Sequence, residues 1–237
     1  MKPQFASLLT LGLLAWGAAS ADTPCDFPAP PGLKPCAPGD RFALAEIRIA
    51  KTLGGEFLGC FQSGQEVMTP TAAQAVSTRG EYAFAISLRR VGFTTADLEN
   101  LLATVKAQWK DFDPLSKEFK ETYTARLNAL IKGNGSTPSP TMISVKPVLV
   151  SIDQNDTRYY VVTSIRTYVL NLDGRQATVT KVNSDALALR GSQLIRLTIQ
   201  RELRDPADVA QVQSEIEEWA RATAQSSPSG VAKKAPE

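Results

Sequence analysis

Any chemistry in this chain has to proceed without imidazole, because its 237 residues include three cysteines and no histidine. That removes Ser-His-Asp and Cys-His catalytic arrangements and every histidine-ligated metal site. Cys25 and Cys36 bracket a segment dense in proline and glycine. A disulfide between them would close a short loop with little regular structure of its own and contribute about 2–3 kcal/mol. Cys60 lies in an apolar stretch; it is then a buried thiol, or the partner of Cys25 or Cys36. The cysteine spacing does not pair metal ligands, so neither a metal nor a cofactor is expected. No glycine-rich phosphate loop and no Cys-x-x-Cys motif occurs in the sequence. Carboxylates remain, since a glycosidase-like centre needs only two acids that the fold brings together. Glu46, Glu56, Glu66 and Glu81 stay open on that ground, as does a Ser-Lys centre.

The basic residues offer a second kind of chemistry. Asp173-Gly174 and Arg190-Gly191 are two-residue hairpin signals. Counting outward from the first places Ile165 opposite Val182 and Arg166 opposite Lys181. Counting from the second places Val182 opposite Ile199, Lys181 opposite Gln200, and Asp185 opposite Arg196. One sheet face then carries Ile165, Val182, Ile195, Leu197 and Ile199, a core packed on helices. The other carries Ser164, Asn183 and Thr198 in one row and Arg166, Lys181 and Gln200 in the next. That face is either solvated, as antiparallel sheets commonly are, or a site where Arg166, Lys181, Arg196 and Gln200 meet an anionic ligand or a partner's carboxylates.

The elements positioning these residues read as α+β: an antiparallel sheet of about five to seven strands flanked by helices, with a C-terminal helix packed on the sheet. A strand is expected over 41–50, a turn at Gly54-Gly55 and a second strand over 57–61. A short Ala-rich helix follows near 69–77. Tyr82, Phe84, Ile86 and Leu88 alternate with smaller or polar residues, which predicts a strand with one buried face. Thr94 with Asp97 is a capping pair, and Leu98, Leu101, Leu102, Val105 and Trp109 continue at helical spacing. A second helix, opened by Pro114, completes a helical pair inserted at 94–132. Strands are expected over 142–152, 158–172, 175–187 and 194–203. A final helix buries Val209, Val212, Ile216 and Trp219.

Residues 1–21 read as a secretory signal peptide: Lys2, an apolar run of about twelve residues and Ala19-Ser20-Ala21. Cleavage near Ala21 would release a periplasmic or secreted protein with an extended Pro-rich lead-in over 22–40, one domain over 41–225 and a disordered tail over 226–237. The apolar run is shorter than the roughly twenty residues a membrane span needs, so no stable membrane insertion is expected. A formal charge of +2 gives no bulk field for nucleic acid.

The order of a long strand ending in a hairpin, a second strand, a glycine turn, an apolar strand and a closing Trp-bearing helix resembles PsbP-like proteins and their periplasmic relatives of the DcrB type. The residues concerned are Tyr159–Leu172, 176–187, 193–203 and 206–222, within a likeness that spans roughly 81–222. The resemblance implies an antiparallel sheet flanked by helices, serving as a non-catalytic assembly or interaction module, and assigns no functional residue. The sequence is therefore read as a secreted binding or assembly protein of the cell envelope whose partner is another envelope or secreted protein. An immunity or inhibitor protein against a secreted enzyme or toxin, and an envelope hydrolase, are the alternatives.

Overall fold

The computed structural model describes residues 27–37, 40–52, 54–63, 81–110, 141–172 and 175–226. The sequence expectations for 1–21, Cys25, 69–77, the second inserted helix and the tail from 227 lie outside them. The described elements are β1 (Lys34–Pro35), α1 (Arg41–Thr52), β2 (Glu56–Gln62), β3 (Tyr82–Val91), α2 (Thr95–Lys110), β4 (Thr141–Asp156), β5 (Tyr159–Leu172), β6 (Arg175–Arg190), β7 (Gln193–Glu202) and α3 (Ala207–Gln225). The strands form one seven-stranded sheet in the order β1-β2-β3-β7-β6-β5-β4, every neighbouring pair antiparallel. The α+β class and the helix on the sheet are as the sequence predicts. After β3 the chain crosses to the far edge and returns by hairpins, so that β7 closes against β3 in the middle of the sheet.

Each strand presents alternate residues to the two faces. One face carries Ala83, Ala85, Val182, Ala186, Ala188, Ile195, Leu197 and Ile199, and α3 covers it with Val212, Ile216, Trp219 and Ala220. The Trp219 indole meets Phe27 and Phe61 edge-on, with ring centroids 6.1 and 5.7 Å away. Its Nε1 donates to the Pro28 carbonyl at 2.9 Å, so the lead-in, the sheet and α3 share one aromatic centre. On the opposite face, Leu98 and Leu102 of α2 pack on Tyr160, Leu189 and Leu194. Ala43 of α1 lies there against Cys60, Tyr82 and Phe84. Helix α2 starts as its sequence predicts: Thr94 and Asp97 cap each other, the Asp97 amide donating to Thr94 Oγ1 at 3.2 Å and the Thr94 amide to Asp97 Oδ2 at 2.9 Å.

Three expectations are corrected. Residues 41–50 belong to helix α1, not to a strand. Ala43, Leu44, Ile47 and Ala50 recur at helical spacing, and Asp40 accepts the Ala43 amide at 3.1 Å as an N-terminal cap. The favoured Cys25–Cys36 pairing is replaced by Cys36–Cys60, with Cα atoms 5.4 Å apart. Pairing of Pro35 with Phe61 brings Cys36 beside Cys60, whose carbonyl accepts the Cys36 amide at 2.9 Å. The third correction concerns register. Arg190 pairs with Gln193, so the β6–β7 turn is Gly191-Ser192, with Gly191 at φ 63°. Moving the turn by one residue shifts the β6–β7 pairing by two. Val182 faces Arg201, Lys181 faces Glu202, Asn183 faces Gln200, and Asp185 faces Thr198 rather than Arg196. A two-residue shift keeps every side chain on its predicted face. The β5–β6 register, including Ile165 with Val182 and Arg166 with Lys181, is as expected.

Candidate functional site

The polar groups of the α1/α2 face gather around Asp185 of β6. Its Oδ1 accepts from Arg196 Nε and Nη2 at 3.2 and 2.8 Å and from the Thr198 hydroxyl at 2.6 Å. Its Oδ2 accepts from Asn183 Nδ2 at 2.8 Å and Arg166 Nη2 at 3.4 Å. Three neighbouring strands supply this set. Antiparallel pairing puts Asp185 opposite Thr198 on β7 and Val162 on β5, with Arg196 and Arg166 within reach along their strands. Burial alone would push the Asp185 carboxyl up, but Arg196, Arg166 and the Thr198 hydroxyl outweigh it and hold it at about 2. Asp185 in turn raises the Arg196 guanidinium against its own burial. The side chains of Asp185, Arg166 and Arg196 are 16%, 18% and 24% exposed, which leaves one edge of the cluster open and rules out a fully solvated face.

Helix α1 adds Glu46. Burial drives this carboxyl up to about 7, Arg196 acting downward and Asp185 upward. Glu46 has no hydrogen-bond partner among the described residues. Tyr160, also on this face, has its phenol raised by burial and by Asp185, with Arg196 opposing. Two buried polar atoms here lack any hydrogen-bond partner: Tyr160 Oη and Asn183 Oδ1. Orphaned groups of this kind cost free energy and mark places where a ligand or water can act.

The sequence-predicted residues divide. Arg166 and Arg196 converge on Asp185. Lys181 stands opposite Arg166, as predicted, but its charge is answered by Glu202 on the facing strand; burial lowers its ammonium and Glu202 opposes that shift. Gln200 lies between Asn183 and Tyr82 in the pairing rather than beside Lys181. Asp185 as the hub, and Asn183 and Tyr160 as unsatisfied members, were not singled out. The visible signal was polar residues at alternate positions on three consecutive strands. Glu46 was one of several open acids, and its electrostatic coupling to Arg196 arises only in the fold.

On the opposite face, Arg201 Nη2 bridges Glu81, which immediately precedes β3, and Glu215 of α3, the second at 2.7 Å. Burial, with the Glu215 hydrogen bond and charge, pushes Glu81 up to about 7 against the pull of Arg201. This group ties α3 to the sheet. Cys36, Asp40 and Cys60 bring donor atoms within 4.8 Å of one another, but both sulfurs are committed to the disulfide. No helix among the described residues is long and apolar enough to cross a membrane. No family model matches the chain, and neither curated proteins nor solved structures give a match.

Proposed function

We propose that the protein is a non-catalytic binding or assembly protein of the cell envelope, acting in the periplasm or outside the cell after loss of residues 1–21. One observation carries the reading. Both oxygens of Asp185 are held by donors from Arg166, Asn183, Arg196 and Thr198. A carboxylate so occupied fixes guanidinium groups in place and has no lone pair to offer as a nucleophile or base. The cluster is therefore organised to present charge rather than to transfer it. The Cys36–Cys60 disulfide supports an oxidising compartment. Affinity capture with the mature, oxidised protein from its own periplasm, followed by mass spectrometry, is expected to recover one stoichiometric partner. Recovery of none, together with turnover of a glycan or peptide panel, would reverse the reading.

A hydrolase is the second reading, favoured by the split between Glu46 near 7 and Asp185 near 2, since an acid and a base with separated pKa values are what paired-carboxylate catalysis uses. It requires Asp185 to give up its present partners. Turnover of the same panel that disappears in Glu46→Gln would establish it.

A further inference from the structure

Beneath the partly exposed edge of the Asp185 cluster lies a particular combination of unfilled groups. Arg196 commits Nε and Nη2 to Asp185, and no described residue takes its Nη1. Asn183 must turn its amide nitrogen toward Asp185, because a carboxylate only accepts hydrogen bonds. That orientation leaves Asn183 Oδ1 buried without a donor. Tyr160 Oη is buried without a partner on the same face, and the Glu46 carboxyl of α1 lies within electrostatic range of Arg196 with no hydrogen bond among the described residues. The unfilled set contains a cationic donor, an acid O–H, an amide acceptor and a phenol that serves as either.

We propose that this edge is a binding site for a monocarboxylate carrying an adjacent hydroxyl or amide donor, the carboxylate received by Arg196 and Glu46 and the donor by Asn183. The site rests on the binding reading above and names the chemistry of what is bound. The bound group can be a free 2-hydroxy acid or the carboxylate end of a larger envelope component; the recognition chemistry is shared.

Proton coupling follows from the arrangement. Protonated Glu46 donates to the incoming carboxylate, whereas ionised Glu46 repels it and competes for Arg196. The charged groups that reach Glu46 are Arg196 on β7 and Asp185 on β6. The strands directly under α1 contribute exposed Glu56 and Tyr82, whose phenol is pushed to about 12 by burial and by Asp40. The Tyr82 phenol therefore stays uncharged across this range. Binding should take up one proton on Glu46, so affinity falls about tenfold for each pH unit above the free carboxyl's range.

Lactate serves as the probe in calorimetric titration of the oxidised full chain, with propionate and lactamide as controls. Lactate is expected to bind at mildly acid pH more tightly than propionate, with lactamide not binding and lactate affinity declining above pH 7. Glu46→Gln should keep lactate binding and abolish the decline. Arg196→Gln should lose binding. Because that variant also disturbs Asp185, Tyr160→Phe provides the second arm: it removes an unpaired hydroxyl, leaves the fold intact and should weaken lactate binding severalfold. Equal affinity for lactate and lactamide overturns the proposal, as does a pH dependence unchanged in Glu46→Gln. No lactate binding at any pH, with a partner still captured from periplasm whose affinity is unchanged in Tyr160→Phe, overturns this site and leaves the binding reading standing. Panel turnover without a partner overturns the binding reading instead.

Discussion

Glu81 offers the sharpest test of the charge reasoning. Its carboxyl shares the Arg201 guanidinium with Glu215 and is mostly buried, its side chain 12% exposed. In the unfolded chain it ionises around 4.5, in the folded protein around 7. A folded pKa raised in this way gives stability that is fully present below 4.5 and is lost as pH rises through 7. The full displacement corresponds to about 3 kcal/mol; with Arg201 free to reorient toward whichever carboxylate is charged, about 2 kcal/mol is expected. Substituting Glu81→Gln keeps an acceptor for Arg201 and removes the titration. Glu46, on the opposite face of the sheet, spans the same pH window, again chiefly through burial, but with no group in common with the Arg201 bridge. The two contributions should therefore add. Urea denaturation at closely spaced pH values between 4 and 8 would show wild type losing stability across the window. Glu81→Gln should lose about 2 kcal/mol less, and the double variant with Glu46→Gln should be nearly flat. If Glu81→Gln and wild type lose stability in parallel, one Arg201 is enough for two ionised carboxylates and the argument fails.

Other consequences can be checked more briefly. Reducing Cys36–Cys60, which are separated by 24 positions, should cost about 3 kcal/mol and free β1 from β2; a non-reducing peptide map that joins Cys25 to Cys36 would contradict the pairing. Asp185→Asn should destabilise by about 3 kcal/mol, because two guanidinium groups lose their shared counterion, and a neutral effect on the denaturation midpoint would mean that the cluster is better solvated than its exposure implies. Trp219→Ala should cost about 4 kcal/mol, with Phe the least damaging replacement, since Phe keeps the edge-on contacts with Phe27 and Phe61 and loses the bond to Pro28. Gly55→Ala should destabilise by more than 1 kcal/mol, because its Cβ would strike the Ser87 carbonyl of β3.

Much of this molecule is set by features local in sequence. Alternation over 82–88 makes β3 whatever surrounds it, and Thr94 with Asp97 starts α2 through hydrogen bonds that span three residues. Counting out from the Asp173-Gly174 signal in the sequence gives the pairing of Arg166 with Lys181 that β5 and β6 adopt. Because side chains alternate strictly, even the displaced β6–β7 turn left the two faces of the sheet correctly assigned. The short apolar pattern over 41–50 was read as a strand, although Ala43, Leu44, Ile47 and Ala50 recur in it at helical spacing and Asp40 precedes it as a cap.

What the tertiary structure alone decided is which distant groups meet. A two-residue β1 is too short to read, yet its pairing with β2 chose Cys60 for Cys36 over a nearer cysteine. Lys181 and Arg166 were predicted side by side as a shared positive patch, but Lys181 faces Glu202 across the β6–β7 register that the turn at Gly191 fixes, and Arg166 reaches back to Asp185 on β6. Glu46 and Arg196 are remote in the chain and become neighbours only when α1 lies across the sheet. Backbone propensity and alternation act over a few residues and need no partner, so the sequence by itself determined the elements and their faces. Charge pairing, burial and disulfide choice depend on separations that exist only after the sheet has closed.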